Sequence, residues 1–246
     1  MIGTLQEWVD AGLAATAAAG LAAGGLAYAA RWPTSQLFGR ALTAPRKPGE
    51  IALTFDDGPN PRWTPLLLET LARHNLRATF FLIGKYAASQ PGLVRQILEA
   101  GHPIGNHTWT HPDLALVSAR RTREELLRTT GTLEQIAGAP IRYFRPPYGG
   151  RRPATLRIAR ELGLVPVLWN AMTADWAASS PEPIAASLAK TVARKQKSGY
   201  ASNIVLHDGS HLSLDIDRSA SVTCARLLIE RFLPTHRFVT LDEWPA

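Results

Sequence analysis

From Glu50 onward, short apolar runs alternate with amphipathic stretches, and this alternation restricts the fold more than any other feature of the chain. Strands are predicted at Ile51–Phe55, Ala78–Ile83, Pro103–Asn106, Ile141–Phe144, Val165–Trp169, Asn203–Leu206 and Arg237–Leu241. Helices are predicted between them, at Thr64–Asn75, Gly92–Ala100, Arg123–Ala137, Pro153–Leu162, Pro183–Lys197 and Ser219–Leu233. Pro91 near one helix start, and Gly101, Gly138 and Gly163 just past three helix ends, are ordinary start and stop signals. Seven strand–helix units with no long antiparallel run predict an α/β fold with a parallel sheet, open or closed into a barrel. The 246 residues suffice for one such domain with its own core.

The segment before Glu50 has a different composition. Residues Ala11 to Ala30 carry no charge and include eleven Ala and four Gly, so the stretch has the length of a membrane span but weak hydrophobicity. Ala27-Tyr28-Ala29 resembles a signal-peptidase site, whereas Glu7 and Asp10 stand where an export signal carries positive charge. Two readings of residues 1–30 follow: a signal or membrane anchor, or an Ala-rich helix packed on the domain. Arg31, Arg40, Arg46 and Lys47 follow the stretch, and by the charge-bias rule they would hold the main domain in the cytoplasm. Residues 31–49, with Pro33, Pro45, Pro48 and Gly49, read as a linker to the main domain, spanning 50–246.

The net charge of +7 makes an acidic partner conceivable. The basic residues are scattered, however, and their tightest group is Arg120, Arg121 and Arg123, which describes a solvated surface rather than a nucleic-acid site. Cys224 is the only cysteine, so no intramolecular disulfide forms and cysteine usage says nothing about compartment. Nothing in the sequence points to a protein partner.

The chemistry-bearing residues lie just after five of the predicted strands. They are Asp56-Asp57-Gly58-Pro59, the segment His107 to Pro112, Arg145-Pro146-Pro147-Tyr148-Gly149, Asp175-Trp176, and His207-Asp208-Gly209. In parallel α/β sheets and barrels the carboxyl ends of the strands build the active site, so these five segments predict one convergent site. His107 and His111 are spaced to share one side of a helical turn. With a carboxylate from another strand end they make a common ligand set for a catalytic divalent ion. The pair alone reads equally well as two ordinary histidines, and Asp-Asp-Gly-Pro alone reads as a turn. Adjacent aspartates at a strand end point in different directions, so one can bind metal while its neighbour faces the reacting water. They are poorly placed to flank a glycosidic bond, which counts against a glycosidase. His207 is a candidate general acid, Arg145 a partner for a buried carboxylate, and Trp176 a pocket wall or a core residue.

Together the segments resemble the polysaccharide deacetylase family, also known as carbohydrate esterase family 4 or the nodulation-deacetylase homology domain. The resemblance covers roughly residues 50–244 and rests on TFDDGP, HTWTHP, RPPYG, ADW and VLHDG in the family's order, with Asp217-Arg218-Ser219 and the closing Arg237 to Leu241 also similar. It implies a distorted (β/α)7 barrel, here with an extra N-terminal helix. It implies that Asp57, His107 and His111 hold one divalent metal, Zn²⁺ or alternatively Co²⁺ or Ni²⁺, with Asp56 as general base and His207 as general acid. It further implies that Arg145 orients Asp56, that Asp175 tunes His207, that the Tyr148 backbone N–H helps hold the oxyanion, and that Trp176 and Leu206 shape an acetyl pocket. The implied reaction is hydrolysis of the acetamide of N-acetylated sugars in a peptidoglycan-like or chitin-like glycan. Alternatives are the same chemistry on an O-acetyl ester or a lipid-linked sugar amide, or a non-catalytic glycan-binding relative. The implied location is the cell envelope or outside the cell, with membrane attachment through residues 11–30, although a cytoplasmic domain is the other reading. One departure is visible: many relatives carry an Asp three positions before the Asp-Trp aspartate, and here that position is Met172.

Overall fold

The computed structural model describes Thr16, Gly20 and residues 23–245. Most of the Ala-rich stretch anticipated over residues 1–30 therefore lies outside the described residues. Its end is helical at 23–31 (α1).

The organising strand is β1 (Glu50–Gly58), buried at every position after its first. It pairs in parallel with β2 (Thr79–Leu82) on one side and β7 (Ser202–His207) on the other, while β8 (Arg237–Val239) pairs with its first three residues. The sheet continues outward from β2 through β3 (Ile104–Asn106) and β4 (Tyr143–Phe144) to β5 (Val165–Pro166), and from β7 to β6 (Ala171–Met172). Because β5 and β6 belong to one stretch of chain, residues 165–172 begin paired to β4 and end paired to β7. That single stretch joins the two edges and curls the sheet into the distorted barrel. All seven sequence-predicted strands are present at least in part; of the fifth, Val165–Trp169, only Val165–Pro166 is strand, and β6 lies beyond its expected end.

Side chains alternate along β1. Ile51, Leu53 and Phe55 pack with Leu206, Leu67 of α2 (Trp63–Arg73) and Leu228 of α8 (Ser219–Phe232) in the layer between sheet and helices. Ala52 faces inward, onto Phe81, Tyr143, Val239 and Trp244, which fill the floor of the barrel. One step up, the Thr54 hydroxyl donates to the Ile204 carbonyl at 2.8 Å and accepts from Arg145. Asp56 follows at the carboxyl end. The interior thus grades from an apolar floor through a polar layer to the mouth.

The sequence-predicted helices appear within a few residues of their expected bounds. The largest difference is α5 (Ala119–Ala137), which starts four residues early because the Ser118 hydroxyl accepts the Arg121 N–H as an N-cap. A short helix after β2, α3 (Gly84–Ser89), had no counterpart in the sequence reading, being too short to show a period.

Residues 31–49, read above as a linker, lie against the domain. Leu42 exchanges 2.8 Å backbone hydrogen bonds with Pro166 and Leu168. Arg151, fully buried, donates to the carbonyls of Trp32 and Ser35 at 2.8 Å and of Gly149 at 2.9 Å, and Arg31 pairs with Asp113 at 2.5 Å. Leu26, Tyr28, Trp32 and Leu37 are exposed. Among the described residues no helix is long and apolar enough to cross a membrane.

Candidate active site

The five predicted segments converge at the carboxyl ends of the strands, around a pocket of about 480 Å³. Asp57, at the end of β1, has φ 72, a left-handed conformation unusual for a residue with a side chain. The chain turns tightly there, and the 208–210 loop passes so close that a side chain at Gly209 would run into the Asp57 carbonyl. His107 follows β3. The spacing of His107 and His111 predicted a helical turn, but the segment is irregular, with φ 66 at Thr108 and φ 62 at His111. Side-chain acceptors take the N–H groups that a helix would use. Asn106 accepts from Thr108 N, Thr108 from His111 N, and the buried Glu125 carboxylate from Trp109 N and Thr110 N.

This turn still brings the two imidazoles together. His111 Nε2 lies 3.1 Å and His107 Nε2 3.4 Å from Asp57 Oδ1, and one ligand atom from each of the three residues falls within 4.8 Å of the others. His107 Nδ1 is 2.8 Å from the Arg145 carbonyl, which fixes its proton there and turns the Nε2 lone pair towards Asp57. Asp57 Oδ1 is buried and makes no hydrogen bond among the described residues. Acceptors facing one another across a buried gap are the arrangement that a divalent cation completes. Burial acts to raise the Asp57 carboxyl, whereas protons carried towards it by the His107 and His111 imidazoles, with no cation between them, would outweigh that and hold it well below the usual carboxylate range.

Asp56 points the other way. Its Oδ1 accepts from Arg145 at 2.7 Å, while Oδ2 lies 3.9 Å from His107 Nε2, on the side of the three-residue cluster. Arg145 is fully buried, stands over the Phe81 ring at 4.0 Å and has Asp56 as its only ion-pair partner among the described residues. Burial pulls its pKa down and the Asp56 charge opposes that.

Across the pocket, His207 is the register partner of Asp56 on the neighbouring strand. Asp175 accepts from His207 Nδ1 at 2.9 Å and from the His207 backbone N–H at 2.8 Å, and Ser221 donates to its second oxygen at 2.6 Å. The pair leaves His207 Nε2 free towards the pocket. Burial alone would lower the imidazole, but the charge and hydrogen bond of Asp175 reverse that and push it up to about 9. Trp176 meets the His207 ring edge-on at 5.0 Å and lines the pocket. Tyr148 also lines it, held at φ 56. Four of the five non-glycine residues with positive φ among those described, Asp57, Thr108, His111 and Tyr148, belong to this site, which is where backbone strain is commonly stored. Leu206 departs from expectation: it is fully buried in the layer facing the helices, and Val205 lines the pocket in its place, because successive residues of β7 face opposite sides of the sheet.

A family model described as polysaccharide deacetylase matches residues 43–167. The chain belongs to the polysaccharide deacetylase family. Similar proteins include a peptidoglycan-N-acetylglucosamine deacetylase of Bacillus cereus, 41% identical over 144 residues that make up 58% of this chain and 52% of the relative. A second protein of that description from the same organism is 37% identical over 78% of this chain and 86% of its own length. A chitooligosaccharide deacetylase of Sinorhizobium fredii is 37% identical over 65% of this chain and 72% of the relative. The chain thus spans about half the length of the first of these relatives. Among solved structures, a peptidoglycan N-acetylglucosamine deacetylase superposes with a TM-score of 0.72 at 35% identity, covering 82% of this chain and 90% of that one.

Within this site the structure also places three further residues, of which the sequence reading marked Met172 as a departure and gave Asp208 and His211 no role of their own. Met172 stands at the pocket wall, half-exposed, so the position of the usual acid is apolar here. Asp208, beneath Asp57, is fully buried against the Thr64 hydroxyl, and burial pushes its carboxyl up to about 7. His211 lines the pocket beside His111. Nothing in one sequence separates it from any other loop histidine, since only the fold brings it over a ligand residue.

Proposed function

We propose that this chain is a metal-dependent deacetylase that hydrolyses the acetamide of N-acetylated sugars in a poly- or oligosaccharide. The observation that carries this reading is the pairing of Asp56 with His207 on adjacent strands, in the same pocket as the Asp57–His107–His111 cluster. The printed activities of the similar proteins, on peptidoglycan and chitooligosaccharides, support an N-acetylglucosamine-type unit as the substrate.

In this reading Asp57, His107 and His111 hold one divalent ion, Zn²⁺ by preference and Co²⁺ or Ni²⁺ as alternatives, since all three accept two His and one carboxylate. Bound there, such an ion would supply Lewis acidity, which brings the pKa of a water from ~15.7 towards ~7 and polarises an amide carbonyl. Asp56, aimed by its hydrogen bond from Arg145, accepts the proton of the attacking water through Oδ2. The Tyr148 backbone N–H donates to the carbonyl oxygen as negative charge develops on it. His207, charged and oriented by Asp175, gives its Nε2 proton to the sugar nitrogen as the C–N bond breaks, so that the amide and one water become acetate and an amine. Trp176 walls the pocket beside the acetyl group.

Placement at the cell envelope follows from the peptidoglycan named for the relatives, and the exposed Leu26, Tyr28 and Trp32 on and after α1 support attachment to a membrane through the N-terminal segment. Removal of metal by a chelator is expected to abolish acetate release from N-acetylated oligosaccharides. Adding back Zn²⁺, Co²⁺ or Ni²⁺ should restore it at about one ion per chain. Undiminished acetate release from the metal-free protein would contradict the reading.

A further inference from the structure

His211 takes no part in the chemistry just described, yet it is held in place with unusual care. Its carbonyl accepts from both Lys85 Nζ and the Tyr86 hydroxyl at 3.1 Å, which tie the loop to α3. On the same loop, Arg218 donates to the Gly209 carbonyl at 2.6 Å and the Ser210 hydroxyl accepts from Leu212 N at 3.2 Å. This fixed backbone presents the imidazole flat against His111, with centroids 4.5 Å apart and planes 12° from parallel. The ring's Nε2 lies 3.3 Å from the Tyr148 hydroxyl. No hydrogen bond reaches Nδ1 among the described residues.

Covering the face of His111 would need only an aromatic ring. The two nitrogens of His211 are therefore surplus to packing, and none of its hydrogen bonds goes to Asp56 or His207. Tyr148 is half-exposed and contributes its backbone to the reaction, so its hydroxyl is equally free of a chemical task. On the other wall, Trp176 and Met172 are apolar. A pyranose ring carries both kinds of surface, an apolar face of C–H groups and a rim of hydroxyls. A neutral imidazole offers one donor and one acceptor, and a phenol can do both, so together they can satisfy a hydroxyl in either role.

We propose that His211, paired with the Tyr148 hydroxyl, hydrogen-bonds a sugar hydroxyl at the rim of the pocket and so fixes the ring over the Asp57–His107–His111 cluster. The proposal rests on the glycan reading above. It makes His211 a residue that sets substrate affinity while Asp56 and His207 set the rate.

The test uses the β-1,4-linked tetrasaccharide of N-acetylglucosamine with two variants of the full chain. His211→Phe keeps a ring against His111 and loses both nitrogens, while His211→Gln restores a donor and an acceptor. His211→Phe is expected to raise KM about tenfold, the loss of one well-made hydrogen bond, with kcat within about twofold. His211→Gln should recover most of that loss. The dissociation constant of the same tetrasaccharide on metal-free protein should weaken by a similar factor in His211→Phe. Unchanged KM and dissociation constant in His211→Phe would overturn the proposal and leave the ring as packing. A fall in kcat or in bound metal with KM unchanged would overturn it in favour of support for His111. If the parent protein binds the tetrasaccharide through His211 but releases no acetate, the functional reading fails and this inference stands.

Discussion

Replacing Asp56 with Asn is expected to lower kcat by roughly 10²- to 10⁴-fold while about one metal ion per chain remains bound. The expectation follows from how the two adjacent aspartates divide. Asp57 Oδ1 lies 3.1 and 3.4 Å from the two imidazoles and makes no hydrogen bond among the described residues, whereas Asp56 gives one oxygen to Arg145 and has no such bond there to the other. Asparagine at 56 preserves an oxygen for Arg145 but cannot accept a proton. It also removes the only counter-charge, among the described residues, of a fully buried guanidinium, so a loss of stability is expected, since uncovering a buried charge costs about 3–5 kcal/mol. Activity is therefore measured well below the melting temperature of the variant. Asp57→Asn, by contrast, should weaken metal binding directly, and its activity should return in part at high metal concentration. Metal analysis and acetate release on both variants check the division, and equal metal loss in the two would show that the base has been misassigned.

His207 carries the second large effect. Its replacement by Ala should cost roughly 10²- to 10⁴-fold in kcat, as expected when a general acid is lost. The sharper result concerns pH. The imidazole must be charged to give up a proton, and its pKa is raised to about 9, so the competent form is present below that value and is lost as pH rises through it. Removing the Asp175 charge removes the strongest raising influence and leaves burial, which lowers the pKa. The alkaline limb of kcat/KM in Asp175→Asn should therefore move to lower pH by about 1–3 units. Asp57 and Asp56 also raise His207, and a bound cation would offset their part. That offset is common to both proteins, so the difference between them isolates Asp175. Water near the metal titrates in the same range, which makes the comparison of variants more decisive than either profile alone. An unmoved limb in Asp175→Asn, with near-normal turnover in His207→Ala, would mean that the proton reaches the amine by another route.

The parts of this fold that were legible in the sequence are those that repeat or alternate. The buried strands betray themselves as apolar runs, and the reactive residues stand just after them, so the site could be assembled from order along the chain. Leu206 was misplaced because an all-apolar strand does not say which of its faces is the interior, and one step along β7 exchanges Val205 for Leu206. The histidine pair was rightly brought together but by the wrong backbone. The turn depends on Glu125, fourteen residues after His111 and on α5, whose carboxylate accepts two loop N–H groups. That interaction has no local signature. His211 and the buried Arg151 were invisible for the same reason, since what makes each of them consequential is a neighbour distant in sequence.

The measurement that bears most directly on the proposed reaction is the joint count of acetate and of new primary amine. It would be made on metal-loaded protein acting on the N-acetylglucosamine tetrasaccharide and on purified peptidoglycan. Hydrolysis of the acetamide predicts one amine for every acetate on at least one of these substrates, with both products absent in Asp56→Asn. Acetate without amine on an O-acetylated glycan would show an esterase instead, and neither product from either glycan would contradict the account.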